Sequence, residues 1–371
     1  MKNFETKDNK KFLSKKNIII MSVFFIVLII LSVCVSVFFL GIKFETIASL
    51  TEQKFTNQKL LWLFLVLFSM IYIILWNSFY LYRFSREYGL KAKWYEWFVF
   101  GIVSIFFNSI TPFSLGGEPY KVYWLNKHGL DTRKSWLVIS STTIFWSFTQ
   151  IVLTWPSFIY VSTKYDIISQ TSDGLVAYWF TFGGMVVDLA MFSSIFLLSY
   201  SKKCHVVINT VWNWVLKKLG RPYKTKQQII EEFKINESFK KDYINEMKKW
   251  KNVIFQFIGT TIYSLAYYFG VYFSFRLVDI DLFTFSNIFN VTNVAWTANN
   301  FIPIPGGEGT IQIILQKFLI AFQPNVTTSS EEINAAIFVW RSFTFYIPTI
   351  IGLLVCPYVV YNHFKKPKKE I

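Results

Sequence analysis

Asn108 to Lys121 reads NSITPFSLGGEPYK, and Asn299 to Thr310 reads NNFIPIPGGEGT. Each stretch sets prolines, a glycine pair and a glutamate at the end of a long apolar run. The shared elements, Gly116-Gly117-Glu118 and Gly306-Gly307-Glu308, lie 190 residues apart, and each follows a proline, Pro112 or Pro305. Two broken apolar segments at corresponding places suggest an internal repeat whose halves meet at one site.

Composition names the solvent. Of 371 residues, 53% are hydrophobic, 20% aromatic and only 16% charged, more apolar and less charged than an ordinary soluble protein. The chain therefore reads as a membrane protein. Cys34, Cys204 and Cys356 show no paired spacing, so no disulfide framework is indicated. His128, His205 and His363 lie outside the apolar runs, and neither a metal nor another cofactor is expected. The net charge of +16 resides in lysines that flank apolar segments, which is a topology signal and gives no reason to expect a nucleic-acid partner.

That signal orients the chain. Residues 1–16 form a basic cytoplasmic tail, followed by a first span at about 17–41, too long for the apolar core of a secretory signal. Further spans are predicted at about 60–82, 135–162, 174–200, 252–277 and 334–362. Segments 97–134 and 284–323 are read as re-entrant, dipping in and returning on the same side. If 97–117 crossed instead, the basic segment 201–251 would lie outside, against the positive-inside rule. In the chosen scheme 31 Lys/Arg lie inside and five outside, with Lys317 and Arg341 within the membrane.

The expected fold is thus all-α and polytopic: about six full spans plus two broken-helix hairpins in an inverted-topology repeat. Its parts are an N-terminal membrane half at 17–200, a basic cytoplasmic loop at 201–251, a C-terminal half at 252–362 and a basic tail at 363–371. Both termini face the cytoplasm, and the location is the cell membrane. Within the loop, Ile229, Phe233, Ile235, Phe239 and Ile244 fall at helical spacing, which suits either a helix on the anionic inner leaflet or a solvated connector.

Backbone groups freed by Pro and Gly cannot face lipid, so both breaks must be buried or line a wet cavity. Each glycine pair is expected to open a helix whose N-terminus points to the centre and suits a phosphate or carboxylate. Glu118 and Glu308 are candidates for helix capping, for an ion pair such as Glu118 with Lys121, or for a direct role in transport. Asn108, Thr111, Asn299 and Asn300 flank the breaks and suit either a polar path or the satisfaction of broken-helix backbone. Arg341 and Asp188, inside apolar spans, are the candidate charge partners, Arg341 for a lipid phosphate or a motif glutamate unless it reaches the outer interface. The aromatic residues are expected chiefly on the lipid face and at the interfaces.

The motifs N-x2-TP-F-x2-GGEP and, later, P-x-PGGEG resemble those of the lysylphosphatidylglycerol synthase transmembrane-region family, also described as flippase-like membrane proteins. The resemblance implies handling of polar lipids: anionic or aminoacylated phospholipids, or isoprenoid-linked lipids. By it Asn108, Pro112, Gly116, Gly117, Glu118, Pro303, Pro305, Gly306, Gly307 and Glu308 take on a site role. Members that make lysyl-lipid carry a large soluble synthase domain after the membrane part, so lysyl transfer is not expected of this chain.

The expected activity is therefore lipid translocation, of the flippase or scramblase kind, acting on a polar, phosphate-bearing lipid. No catalytic residue is assigned, because no nucleophile pairs with a base, and no GxxxxGK[ST] loop indicates ATP hydrolysis. Three alternatives stay open: a non-transporting partner of a separate lipid synthase, a headgroup transferase with Glu118 or Glu308 as base, and a small-solute or ion transporter.

Overall fold

The computed structural model describes residues 56–111, 114, 116–200, 202–218, 220, 222–301, 305–322 and 330–365, with Val27, Cys34 and Glu45. The expected first span, the tail 1–16, Pro112, Pro303 and most of the tail 363–371 lie outside the described residues.

Every regular element among the described residues is helical. A long helix α1 (Asn57–Glu87) is followed by two short ones, α2 (Trp94–Ile110) and α3 (Gly117–Lys127), and by the long α4 (Thr132–Ser162). A single turn, α5 (Tyr165–Ile168), leads to α6 (Ser172–Tyr200), α7 (Lys202–Lys218) and α8 (Lys226–Met247). The pattern then recurs: long α9 (Trp250–Leu277), short α10 (Phe285–Ala298) and α11 (Thr310–Phe322), then α12 (Ser330–Arg341) running through a π-helical turn, Ser342–Tyr346, into α13 (Ile347–Lys365).

Three helical stretches among the described residues are long and apolar enough to cross a membrane: Asn57–Arg83, Thr132–Ser162 and Ser330–Val359. On α1 the reason is visible in its two faces. Phe64, Phe68, Ile71, Leu75 and Phe79 recur at helical spacing and stand about half exposed, while Val66, Ile73 and Leu81 are fully buried. An outward apolar stripe of that length suits lipid and would be a liability in water.

The short helices pair. Trp97 and Phe100 of α2 pack on Trp124 of α3 with ring centroids 4.7 and 4.6 Å apart, and α10 packs on α11 through Ile288, Val291, Ile314 and Leu315. At 1.5 Å per residue, helices of 11 to 17 residues fall short of a bilayer core of about 30 Å. Contacts between the units are reciprocal. α1 packs on α9, α2 packs on α13, and α10 packs on α4, so each hairpin leans on the closing long helix of the other unit.

The 201–251 segment holds two helices. α8 starts at a Thr225–Gln228 capping box and runs Lys226–Met247, ending before Trp250. Of its expected apolar stripe, Ile229 is buried against the protein, and Asp242 meets Arg133 at 2.5 Å. Ile244 of the same stripe is 41% exposed, and the side chains of Phe233, Ile235 and Phe239 lie outside the described residues. α7 also presents an apolar face, with Val207, Val211, Trp212 and Trp214 exposed between terminal lysines.

The end of α1 and the start of α9 are clasped by charge. Lys249 Nζ donates to Glu87 at 2.7 Å and to Glu246 at 2.9 Å, and Tyr88 OH donates to Glu246 at 2.6 Å. Burial alone would raise the Glu87 pKa, but hydrogen bonds from Lys249 and Asn252 outweigh it and hold the carboxyl below its ordinary value. A depressed folded-state pKa gives stability that is present above the unfolded carboxyl range and is lost as pH falls through the folded value. Glu87→Gln is therefore expected to lower stability by about 0.5 kcal/mol at neutral pH, given its partial exposure. The gap from wild type should close in acid, as thermal unfolding against pH will show.

Candidate functional site

In the first hairpin, Thr111 precedes a proline and takes extended angles, φ −114 and ψ 146, which ends α2 there. α3 starts at Gly117 and accepts Pro119 in its first turn, where a backbone N–H has no helical partner. The freed donors are bonded locally: Gly116 N–H donates to Thr111 Oγ1 at 2.8 Å and Gly117 N–H to Asn108 Oδ1 at 2.8 Å. The expectation of an open anion-binding N-terminus at this glycine pair is thereby corrected. Asn108 and Thr111 act on amide donors, and a β-carbon at Gly117 would overlap the Asn108 side chain.

Glu118 Oε1 accepts from Lys121 Nζ at 2.8 Å, and the same ammonium donates to Tyr80 OH at 3.2 Å. Lys121 is buried, whereas the Glu118 side chain keeps 21% exposure, and Glu118 Oε2 has no partner.

The second motif holds its glutamate more tightly. Gly306 and Gly307 sit at φ 61 and 67, a region that favours glycine. Glu308, 2% exposed, accepts from Arg341 at 2.5 Å on Oε2, while Oε1 accepts from Gln312 Nε2 and Tyr346 OH. Arg341 also donates to the Gly306 carbonyl at 3.0 Å and lies over the Phe345 ring, 4.3 Å from its centroid. It is 1% exposed, so it reaches a motif glutamate and not the outer interface. The π turn just after Arg341 carries Phe345 and Tyr346 toward this cluster.

The two tips meet: a β-carbon at Gly306 would stand 3.0 Å from the Ser109 carbonyl and would overlap the Phe345 ring. Around this junction lies a cavity of about 250 Å³. Asn108, Glu118, Lys121, Asn299, Asn300, Gly306 and Arg341 of the predicted set line it. Thr111, Gly116 and Gly117 instead build the first tip, and Gly307 and Glu308 the second, while Pro305 belongs to the 3-10 turn Pro305–Gly307. Asp188 is not among the lining residues; its Oδ1 accepts from Asn300 at 2.7 Å, so it meets an amide and not Arg341.

Several lining residues escaped sequence reasoning. Gln256, Thr260, Tyr263 and Tyr267 form a polar stripe on α9 at spacings of four, three and four, a helical period inside an apolar span that was there to be read. Asn77, Tyr80, Trp76, Trp146 and Trp296 also line the cavity, so part of the aromatic complement faces inward, contrary to the expected lipid and interface placement. Among the described residues no group of three His, Cys, Asp or Glu side chains is placed to hold a metal ion.

An apolar-surfaced helical bundle that closes two broken hairpins around a polar cavity is an integral membrane protein with an internal site. The chain belongs to the family described as "Lysylphosphatidylglycerol synthase TM region", whose model matches residues 18–352. It is similar to "Uncharacterized protein MG306 homolog" of Mycoplasma pneumoniae, 35% identical over 98% of this chain and 94% of that one. "Uncharacterized protein MG306" of Mycoplasma genitalium is 34% identical over 91% of this chain and 88% of its own length. No solved structure matches.

The two glutamates should respond differently to substitution. Arg341→Ala leaves Glu308 buried without its cation and is expected to cost about 3–5 kcal/mol of stability. Glu118→Gln keeps an acceptor for Lys121 but removes the counter-charge of that buried ammonium, and with Glu118 partly exposed it is expected to cost about 1–3 kcal/mol. Thermal unfolding of the purified variants distinguishes them; equal losses would contradict the assignment.

Proposed function

We propose that this protein moves a polar lipid between the leaflets of the cell membrane. The headgroup passes through the cavity at the hairpin tips while the acyl chains stay in the bilayer. The observation that carries this reading is the cavity itself, polar and charge-bearing, inside a bundle whose outer surface is apolar. Ionisable groups at membrane depth are costly and are kept chiefly where they act on a substrate or hold the path for one. Membership of a family named for the membrane region of a lipid synthase supports a lipid as the substrate.

In this proposal the short-helix pairs are re-entrant hairpins that enter from opposite faces, the two units form an inverted repeat, and both termini are cytoplasmic. Were the headgroup to carry a phosphate, it would have to open the ion pair of Lys121 or Arg341 to meet a cation, because the Gly116 and Gly117 N–H groups are already bonded. Glu118, with its unpartnered oxygen, is the carboxylate placed to exchange a partner or a proton. The protein works as a transporter and not as an enzyme.

The experiment reconstitutes the purified protein in liposomes and follows transbilayer movement of acyl-labelled phosphatidylglycerol, phosphatidylethanolamine and monoglucosyl diacylglycerol, with and without a proton gradient. At least one lipid is expected to move, and a Glu118→Gln, Lys121→Met double variant that remains folded is expected to be about tenfold slower or worse. Absence of movement for every lipid, in liposomes shown to hold folded protein, would sink the proposal.

A further inference from the structure

Four buried polar atoms on residues that line the cavity have no hydrogen-bond partner. Two are donors, Gln256 Nε2 and Arg341 Nε, and two are acceptors, Glu118 Oε2 and Asn299 Oδ1. Gln256 and Arg341 are each 1% exposed and Asn299 is 8% exposed. Buried groups of this kind are almost always satisfied by protein, ordered water or ligand, because leaving them unmade is costly. Their mixture is informative. A phosphate offers acceptors, an ammonium offers donors, and a hydroxyl offers both.

Charge points the same way. The charged residues lining the cavity are Glu118, Lys121 and Arg341, and each is already matched, Lys121 by Glu118 at 2.8 Å and Arg341 by Glu308 at 2.5 Å. An ionic headgroup would have to open one of these pairs, and an uncharged one need not. The rings of Trp76, Trp146 and Trp296 also border the cavity. The electron-rich face of an indole suits the weakly positive C–H face of a sugar ring.

We propose that the cavity takes an uncharged, hydroxyl-rich headgroup: the glycosyl group of a glycolipid. This rests on the translocation reading and narrows its substrate class. Ring hydroxyls offer acceptors to Gln256 and Arg341 and donors to Glu118 and Asn299 once these buried atoms turn toward the occupant, and they leave both ion pairs intact.

The test compares monoglucosyl diacylglycerol, phosphatidylglycerol and phosphatidylethanolamine of identical acyl chains. The protein is purified in a detergent without a sugar headgroup, so that the detergent does not occupy the cavity. In liposomes the glucosyl lipid is expected to move about tenfold faster than the other two, the margin that one or two net hydrogen bonds provide. Gln256→Leu, which leaves both ion pairs untouched, is expected to erase that margin. In micelles the glucosyl lipid is expected to raise the unfolding temperature of the wild-type protein, and phosphatidylethanolamine is not. Phosphatidylglycerol moving as fast as the glucosyl lipid overturns the sugar assignment and leaves translocation standing. Stabilisation by the glucosyl lipid without any transport upholds the sugar site and removes translocation. Absence of both the kinetic preference and the stabilisation overturns the sugar site, with water then the partner of the four atoms.

Discussion

Glu308 sits where the chain has left one helix and not yet begun the next, buried inside a membrane protein. A carboxylate there is tolerable only with a cation and several donors around it, and Arg341 supplies the cation from 33 residues further along the chain. The same guanidinium donates to the Gly306 carbonyl, so it also replaces a hydrogen bond that the broken helix gave up. Much of the surrounding structure follows from this contact. The π turn after Arg341 brings Tyr346 to the other carboxylate oxygen, and Gln312, one turn into α11, bonds both Glu308 and the Gly309 N–H. The second tip is thereby fixed as a surface on which the first hairpin, at Ser109, can rest.

Identical spelling in the two motifs thus gives unequal chemistry. In the first, the cation is local: Lys121 lies three residues after Glu118 and divides its donors between that carboxylate and Tyr80. One glutamate oxygen is left over. In the second, the cation is remote and the carboxylate is fully engaged. A locally paired, partly exposed group can change partners by rotating one side chain, whereas the remote pair joins two elements and is bound up with the fold. The first motif is therefore the one with freedom to rearrange, and the second is part of the frame around it.

Which features were legible in the sequence follows from how local their causes are. The breaks at the two Gly-Gly-Glu stretches could be read because Pro and Gly act on their own and adjacent residues, and Thr111 takes the backbone that a following proline demands. The recurring order of long helix, short pair and long helix was legible from apolar run lengths. The capping roles of Asn108 and Thr111 were narrowed to two and not decided, because an amide beside a break looks the same whether it faces a cavity or a glycine N–H. The choice of Glu308 by Arg341, and of Asn300 by Asp188, depends on tertiary placement that no spacing encodes. The α9 stripe is a different case. Tyr263 and Tyr267 fall under the lipid and interface placement expected of aromatics, and Gln256 carries no expectation, although their helical period, with Thr260 between them, marks one buried face.

The reciprocal packing limits how such a bundle can rearrange. α2 leans on α13 and α10 on α4, so each hairpin is held by the closing helix of the opposite unit. Rocking one unit as a rigid body against the other would shear both interfaces at once, along with the contact between Gly306 and Ser109. Each hairpin is also held by its own unit, α2 against α1, α3 against α4 and α10 against α9, and the clasp of Glu87, Glu246 and Lys249 ties α1 to α9, so the tips are braced from both sides.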